Sequence, residues 1–286
     1  MSVLSAECVA ALYREACRFD VLAVKPGNVS IEADGHGMRA VDFLASARVT
    51  AAPIAHAVRG VGAAVRDAVL ATWDAVGCNT NLGILLLAAP LAQAARRPLS
   101  GDLQARLATV LGGLNLADAV EAFTAIRRAR PAGLGAVAAE DVAVAPAYDL
   151  RIAMGLAAER DRIAWNYVHD YADVFGLGVP TLRDSLCLEV SLSAAVVRTY
   201  LRFLSALPDT HIARKLGTEA AGRVQGRAVE VESAYKACED PAARASLVQA
   251  FDRELKHQGV NPGTSADLTV TSLFAMNLAA ALQDAR

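Results

Sequence analysis

The sequence has few aromatic residues and no paired cysteines. Phe, Trp and Tyr make up 5% of its 286 residues, and Ala is abundant, which favours closely packed helices over a β-sandwich. The five cysteines are scattered without a C-x-x-C pair. This distribution indicates reduced thiols and argues against a disulfide framework or a zinc site. We therefore expect a protein of the cytoplasm.

An excess of either charge and long apolar runs are also lacking. The 28 basic and 30 acidic residues give a formal net charge of −2 without a basic run, so nucleic acid is not an expected partner. The longest uncharged apolar run, Leu82–Ala92, contains Pro90 and is well short of the roughly 20 residues that span a membrane. Glu7 and Arg14 interrupt the N-terminal apolar pattern, so we expect no signal peptide.

Apolar residues are plentiful, at 54% of the chain, and most of them recur at helical spacing. The pattern predicts helices over residues 4–18, 40–71, 102–130, 152–174, 182–207 and 217–236, and a last helix after the turn at 261–263. Strand-length alternation and internal repeats are absent from the sequence. We predict a single large all-α domain over residues 1–286, and the apolar composition favours a homodimer.

The segment Gly77–Ala92 is expected to form the centre of this domain. It opens with the polar or small residues Asn79, Thr80, Asn81 and Gly83 and continues without a polar face. A helix that is apolar on all sides is normally buried. The unpaired N–H groups at its N-terminus would suit a phosphate. Alternatively, an Asn simply caps a core helix, and the segment alone leaves both interpretations open.

Two further polar segments are candidates for a site. The loop Lys25–Met38 contains Asp34 and His36, and loops of this length are often functional, although a solvated crossover is the alternative. The turn Gly259–Leu268 leads into the last helix, which we expect to begin through Thr264 or Ser265.

The order of these segments resembles the triphosphoribosyl-dephospho-coenzyme A synthase family over roughly residues 10 to 275. The matching pieces are Lys25-Pro26-Gly27, His36 with Met38, Phe43 with Ser46, Gly77–Gly83, Pro131–Gly135, Ala158–Asp161, Asp209-Thr210 and Asn261–Leu268. The resemblance implies an all-α enzyme that uses ATP and dephospho-coenzyme A. It displaces adenine and joins the triphosphoribosyl group to a ribose hydroxyl.

The resemblance also implies roles for individual residues. Asp34 and His36 would act in acid–base catalysis or contact the ribose. Asp267, with Asp118 or Asp161, would hold Mg²⁺. The expected nucleotide and phosphate contacts are Lys25, Gly27, Asn28, Asn79, Thr80, Asn81, Gly83, Gly263, Thr264 and Ser265.

The sequence departs from the family pattern at the start of the central helix. The usual N-T-H-K-G is Asn79-Thr80-Asn81-Leu82-Gly83 here, and Asn28 follows the K-P-G piece. These forms resemble a branch from archaea and from bacteria that use methanopterin-type cofactors. One alternative function is therefore a nucleotide-dependent step in methanopterin or methanofuran cofactor synthesis. A second alternative is a non-catalytic helical ligand-binding protein.

Overall fold

The computed structural model describes residues 2–131 and 145–285, which form 14 α-helices without a strand. The prediction of an all-α fold is confirmed. Within the Pro131–Gly135 piece only Pro131 belongs to the described residues. The helices are α1 (Ala6–Leu22), α2 (Ala40–Ala55), α3 (Val61–Val76), α4 (Leu82–Arg96), α5 (Leu103–Gly112), α6 (Leu116–Ala129), α7 (Leu150–Ala157), α8 (Arg162–Val168), α9 (Val179–Leu188), α10 (Leu192–Ala206), α11 (Thr210–Leu216), α12 (Thr218–Ala237), α13 (Pro241–His257) and α14 (Gly263–Asp284).

Helix α4 is the buried central helix that the sequence predicts. Every residue from Ile84 to Ala95 is buried, and the helix packs against α3, α5 and α14. It begins at Leu82 and not at Gly77. Gly77 instead ends α3 in the left-handed conformation, with φ of 71°, which glycine adopts without strain.

Helix α14 is the second apolar helix of the interior, and it packs against α1, α4 and α10. Among the described residues it alone is long and apolar enough to cross a membrane as a single helix, and 67% of its apolar stretch is buried in the protein. The pair α5 and α6 would qualify only as one span bent by 97°. Buried apolar side chains from α1 to α14 form one continuous core.

Four of the predicted helices are wrong, because each is two helices. The stretch 40–71 is divided between α2 and α3, and the stretch 102–130 between α5 and α6. The stretch 152–174 is divided between α7 and α8, and Asp161 accepts backbone N–H bonds as the N-cap of α8. The stretch 182–207 is divided between α9 and α10, and Ser191 caps the second of these. A capping side chain satisfies N–H groups that a new helix start leaves free, so polar residues inside an apolar pattern created the last two boundaries.

The start of α14 also differs from the expectation. The helix begins at Gly263 after Pro262, without a side-chain cap from within its own turn. Thr264 and Ser265 lie inside the first helical turn and do not cap it. This difference matters, because the first turn of α14 is part of the candidate site.

Candidate functional site

The site lies where the loop after α1 meets the first turns of α4, α11 and α14, and two glycines allow this approach. Gly27 has φ of 83°, and a Cβ atom there would lie 2.7 Å from Pro262 Cδ. A Cβ atom on Gly83 would lie 2.0 Å from Oδ2 of Asp267. The loop therefore touches the turn before α14, and the start of α4 touches the Asp267 carboxylate, only because both positions lack a side chain.

Asp209 joins the starts of α11 and α14. Its Oδ1 accepts the backbone N–H groups of His211 at 2.9 Å and Ile212 at 3.1 Å. Its Oδ2 accepts both the N–H and the hydroxyl of Ser265, each at 2.8 Å. Asp209 is buried. The start of α14 thus binds the carboxylate of Asp209. Ser265, which was predicted to contact a phosphate, is hydrogen-bonded to this carboxylate.

The other predicted residues of this turn contact α11. The hydroxyl of Thr264 lies 3.0 Å from that of Thr210 and accepts the backbone N–H of His211 at 3.1 Å. Gly263 faces the His211 ring, since a Cβ atom on it would lie 2.9 Å from Nδ1. The predicted residues Gly263, Thr264 and Ser265 are therefore brought together with a histidine that the sequence did not single out.

The polar loop is fixed by bonds to distant helices. The backbone N–H of Gly27 donates to Oδ1 of Asp252 at 2.8 Å, and the Asn28 side chain donates to the Tyr200 hydroxyl at 3.1 Å. Nε2 of His36 donates to the carbonyl of Gly27 at 2.8 Å. Asp34 is exposed and forms neither a hydrogen bond nor an ion pair with the described part of the chain. The structure thus brings His36 into the site and leaves Asp34 outside this network.

Lys25 is fully buried, and its charge is used inside the protein. Its Nζ lies 2.8 Å from Oδ1 of Asp20 and also donates to the Asp20 backbone carbonyl. A buried charge is costly unless it is paired, and Asp20 satisfies this requirement. The predicted phosphate contact of Lys25 would have to compete with this ion pair.

Asp267 is the carboxylate of the site that lacks a partner. It forms neither a hydrogen bond nor an ion pair through its side chain with the residues described, although it is mostly enclosed by protein. Burial raises the pKa of Asp267 well above its ordinary value. The negative charges of Asp20, Asp209 and Asp161 raise it further, and Arg214 opposes them. This point of the site therefore favours a proton or a cation.

The two other predicted metal ligands have different surroundings. Asp161 caps α8 and pairs with Arg214, within electrostatic range of Asp267. Asp118 belongs to the capping box of α6 and accepts the N–H of Gly62 at 2.9 Å. The polar contacts of Asp118 are thus with α3 and with the start of α6. Within 2–131 and 145–285, His, Cys, Asp and Glu do not form a group of three that could hold a metal ion by itself.

The polar residues before α4 are bonded within the protein. Asn79 accepts the backbone N–H of Leu82 at 3.1 Å, and the Thr80 hydroxyl donates to that of Ser46 at 2.7 Å. Asn81 accepts the Thr72 hydroxyl at 3.2 Å. These side chains hold the turn, and the backbone at the helix start remains the part that could meet a ligand.

The sequence did not indicate Asp20, His211 or Arg214 as members of the site. Asp209-Thr210 was one of the pieces that resemble the family, but the bonds of Asp209 to Ser265 were not predicted. Only one signal could have found them: Asp209-Thr210 precedes a short helix rich in charged residues, within the piece that matches the family.

Comparisons with known proteins show the family of this chain. A family model described as ATP:dephospho-CoA triphosphoribosyl transferase matches residues 6–285. A search of curated proteins gave no match. The crystal structure of a protein from Archaeoglobus fulgidus, provisionally named a triphosphoribosyl-dephospho-CoA synthase, shares the fold with a TM-score of 0.64 and 24% identity over 82% of this chain and 97% of that one. The chain belongs to the ATP:dephospho-CoA triphosphoribosyl transferase family.

Proposed function

We propose that this protein transfers the triphosphoribosyl group of ATP to a hydroxyl of dephospho-coenzyme A or a closely related acceptor, with release of adenine. The family match over residues 6–285 supports the reaction class and the use of ATP. The polar site between α4, α11 and α14 supports the location that we propose for this reaction. A triphosphate with its cation and a reacting ribose need such a polar site at the edge of a rigid core.

The observation that carries this proposal is the unpartnered carboxylate of Asp267. Mg²⁺ is usually held by one or two carboxylates together with substrate phosphates, and it keeps several waters. Asp267, with Asp161 nearby, would supply such carboxylates, so an all-protein cage of three ligands is not required. When bound, the ion would offset the negative charge of the triphosphate. The residues present fit this role.

The first turn of α4 is the proposed phosphate contact. The N–H of Leu82 donates to Asn79, and Asn81, the N-cap of α4, forms no capping bond through its side chain. Within the described ranges the N–H groups of Gly83 and Ile84 therefore lack side-chain partners. Such groups carry partial positive charge and suit a phosphate oxygen. The corresponding groups of α14 are partly occupied by Asp209.

We propose that Asp34 and His36 contact the ribose or take part in acid–base catalysis. Nε2 of His36 donates to a carbonyl, so its Nδ1 is the nitrogen that could exchange a proton with substrate. Asp34 is exposed and would have to move toward the ligand, as can happen when a polar loop closes.

The direct test is incubation with ATP and Mg²⁺ and chromatographic detection of free adenine, with and without dephospho-coenzyme A. We expect adenine only when the acceptor is present, in equal amount to the triphosphoribosyl product. ATP binding by calorimetry without adenine release would favour the non-catalytic alternative. Adenine release that needs a pterin or furan acceptor instead would favour the alternative pathway.

We also propose a cytoplasmic homodimer. The apolar composition supports an additional buried face, and the scattered cysteines support a reducing compartment. Light scattering at micromolar concentration should give twice the mass of one chain, and a clean monomer would contradict the proposal.

A further inference from the structure

His211 is held rigidly at the start of α11. Its backbone N–H donates to Asp209 and to Thr264, and its ring packs against Gly263, so helices α11 and α14 both fix its position. The side chain is only partly buried. The imidazole therefore stands at the edge of the candidate site, next to the turn that matches the family pattern.

The ring of His211 is unpartnered, in contrast to other histidines of the chain. The rings of His36, His56 and His169 each bond a backbone carbonyl. In the described ranges neither ring nitrogen of His211 forms a hydrogen bond. The free nitrogens of His211 are thus available to a ligand.

The groups around His211 favour its neutral form. Burial lowers the pKa of His211 below the ordinary 6.5, and Arg214, Lys215 and His36 act in the same direction. Asp209 opposes them. These groups belong to α11 and to the polar loop. Near pH 7 the imidazole is therefore uncharged and carries a lone pair that can accept a proton.

We propose that His211 is the general base that accepts the proton of the acceptor hydroxyl, an inference that rests on the proposed transferase function. The hydroxyl O–H bond breaks and its proton passes to the imidazole. The oxygen forms a bond to C1′ of the ATP ribose as the bond from C1′ to adenine breaks. The electron pair of that bond goes to adenine, which takes a proton from solvent, and His211 returns its proton to solvent.

His211 fits this role better than His36. The Nε2 of His36 is held by the Gly27 carbonyl, so this histidine positions the loop. His211 makes no such bond among the described residues and lies against Gly263, at the start of the helix that also carries Asp267.

The test compares His211→Ala with wild type and with the control His56→Gln, whose ring lies at the exposed end of α2. Loss of a general base is expected to lower kcat by roughly 10²- to 10⁴-fold. ATP affinity and Tm should stay unchanged, and added imidazole should restore part of kcat. His56→Gln should keep wild-type kcat. A His211→Ala protein that folds and keeps wild-type kcat would overturn the proposal, as would failure of imidazole to restore activity.

A pH profile gives a second test that does not depend on replacing the base. In wild type, kcat/KM should fall only as the pH drops below 6.5, when His211 gains its proton. Lys215→Gln removes an exposed cation, so the midpoint should move to higher pH, and an NMR titration of His211 should move with it. If His211 titrates by NMR but kcat/KM does not change over the same pH range, the inference about His211 is wrong and the transferase function stands. If wild type releases no adenine with any acceptor, both fail.

Discussion

Lys25 and Asp20 form a fully enclosed ion pair, with Nζ 2.8 Å from Oδ1, at the point where α1 leads into the polar loop. The lysine of the family-like K-P-G piece thus has a structural partner within the protein. The positive charge of Lys25 is therefore offset at the site by the negative charge of Asp20. The first prediction follows from this pair.

Lys25→Ala should destabilise the fold by about 3–5 kcal/mol, because it leaves a buried carboxylate unpaired. The double variant Asp20→Asn with Lys25→Met should recover most of this loss, since neither charge remains. Denaturant unfolding of the three proteins measures the difference. A Lys25→Ala protein that loses ATP affinity by calorimetry and keeps full stability would instead show that the lysine faces the nucleotide.

Asp267→Asn should bind ATP with Mg²⁺ more weakly by about 1.5–3 kcal/mol, the value of one contact to a charged group. The same variant should be more stable than wild type at neutral pH. Because the folded pKa of Asp267 lies above its ordinary 3.8, ionisation costs stability as the pH rises through this range, and the amide removes that cost. The difference in Tm should vanish below about pH 3.8. Equal stability at every pH would contradict this account.

Gly83→Ala should displace the Asp267 carboxylate, since the new Cβ atom would lie 2.0 Å from Oδ2. We expect weaker ATP binding and no gain in stability. The matched control is Gly222→Ala in the exposed part of α12, where a Cβ atom meets nothing within 4 Å. That change should stabilise the protein by roughly 0.5–1 kcal/mol through helix propensity. Similar thermal shifts in the two variants would mean that the two helix starts are not in close contact.

Asp209→Ala should cost about 2–4 kcal/mol, because one buried carboxylate completes two helix starts and its donors would be left unsatisfied. Asp240→Ala is a suitable comparison, since Asp240 caps only α13 at an exposed position. Its loss should cost about 1 kcal/mol. Chemical denaturation should separate the two variants clearly, and equal costs would refute the bridging role of Asp209.

Restoring the family pair, Asn81→His with Leu82→Lys, should not raise adenine release with dephospho-coenzyme A. Leu82 is 8% exposed and Asn81 7%, and Asn81 bonds Thr72. A lysine at position 82 would bury an unpaired charge beside the core helix, which is costly. A double variant that folds normally and gains the activity would show that these positions do face the phosphates.

The helical periodicity of the sequence predicted the fold class and the central position of α4. Its failures occurred where polar residues interrupt an apolar pattern. Within the predicted helix 152–174, α7 ends at Ala157, and Asp161 begins α8 by accepting the backbone N–H groups of Ile163 and Ala164. Local composition does not distinguish an exposed face from a helix cap, because the same residue types suit both solvent and caps.

The partners of the site residues could not be predicted for a different reason. Asp209 and Ser265 are 56 positions apart, and Gly83 and Asp267 are 184 positions apart. Such contacts depend on how the helices pack. They do not change the spacing of apolar residues in either segment, so the sequence pattern does not indicate them. The motifs indicated which turns meet, but not that protein carboxylates face the starts of both α4 and α14.

The central position of α14 has a consequence for the order of synthesis. Its 22 residues begin at Gly263, yet they fill the space between α1, α4 and α10. A chain emerging from the ribosome therefore exposes the apolar faces of its earlier helices until α14 has also been translated. During this interval those faces are open to chaperones or to other nascent chains, and docking of α14 ends their exposure.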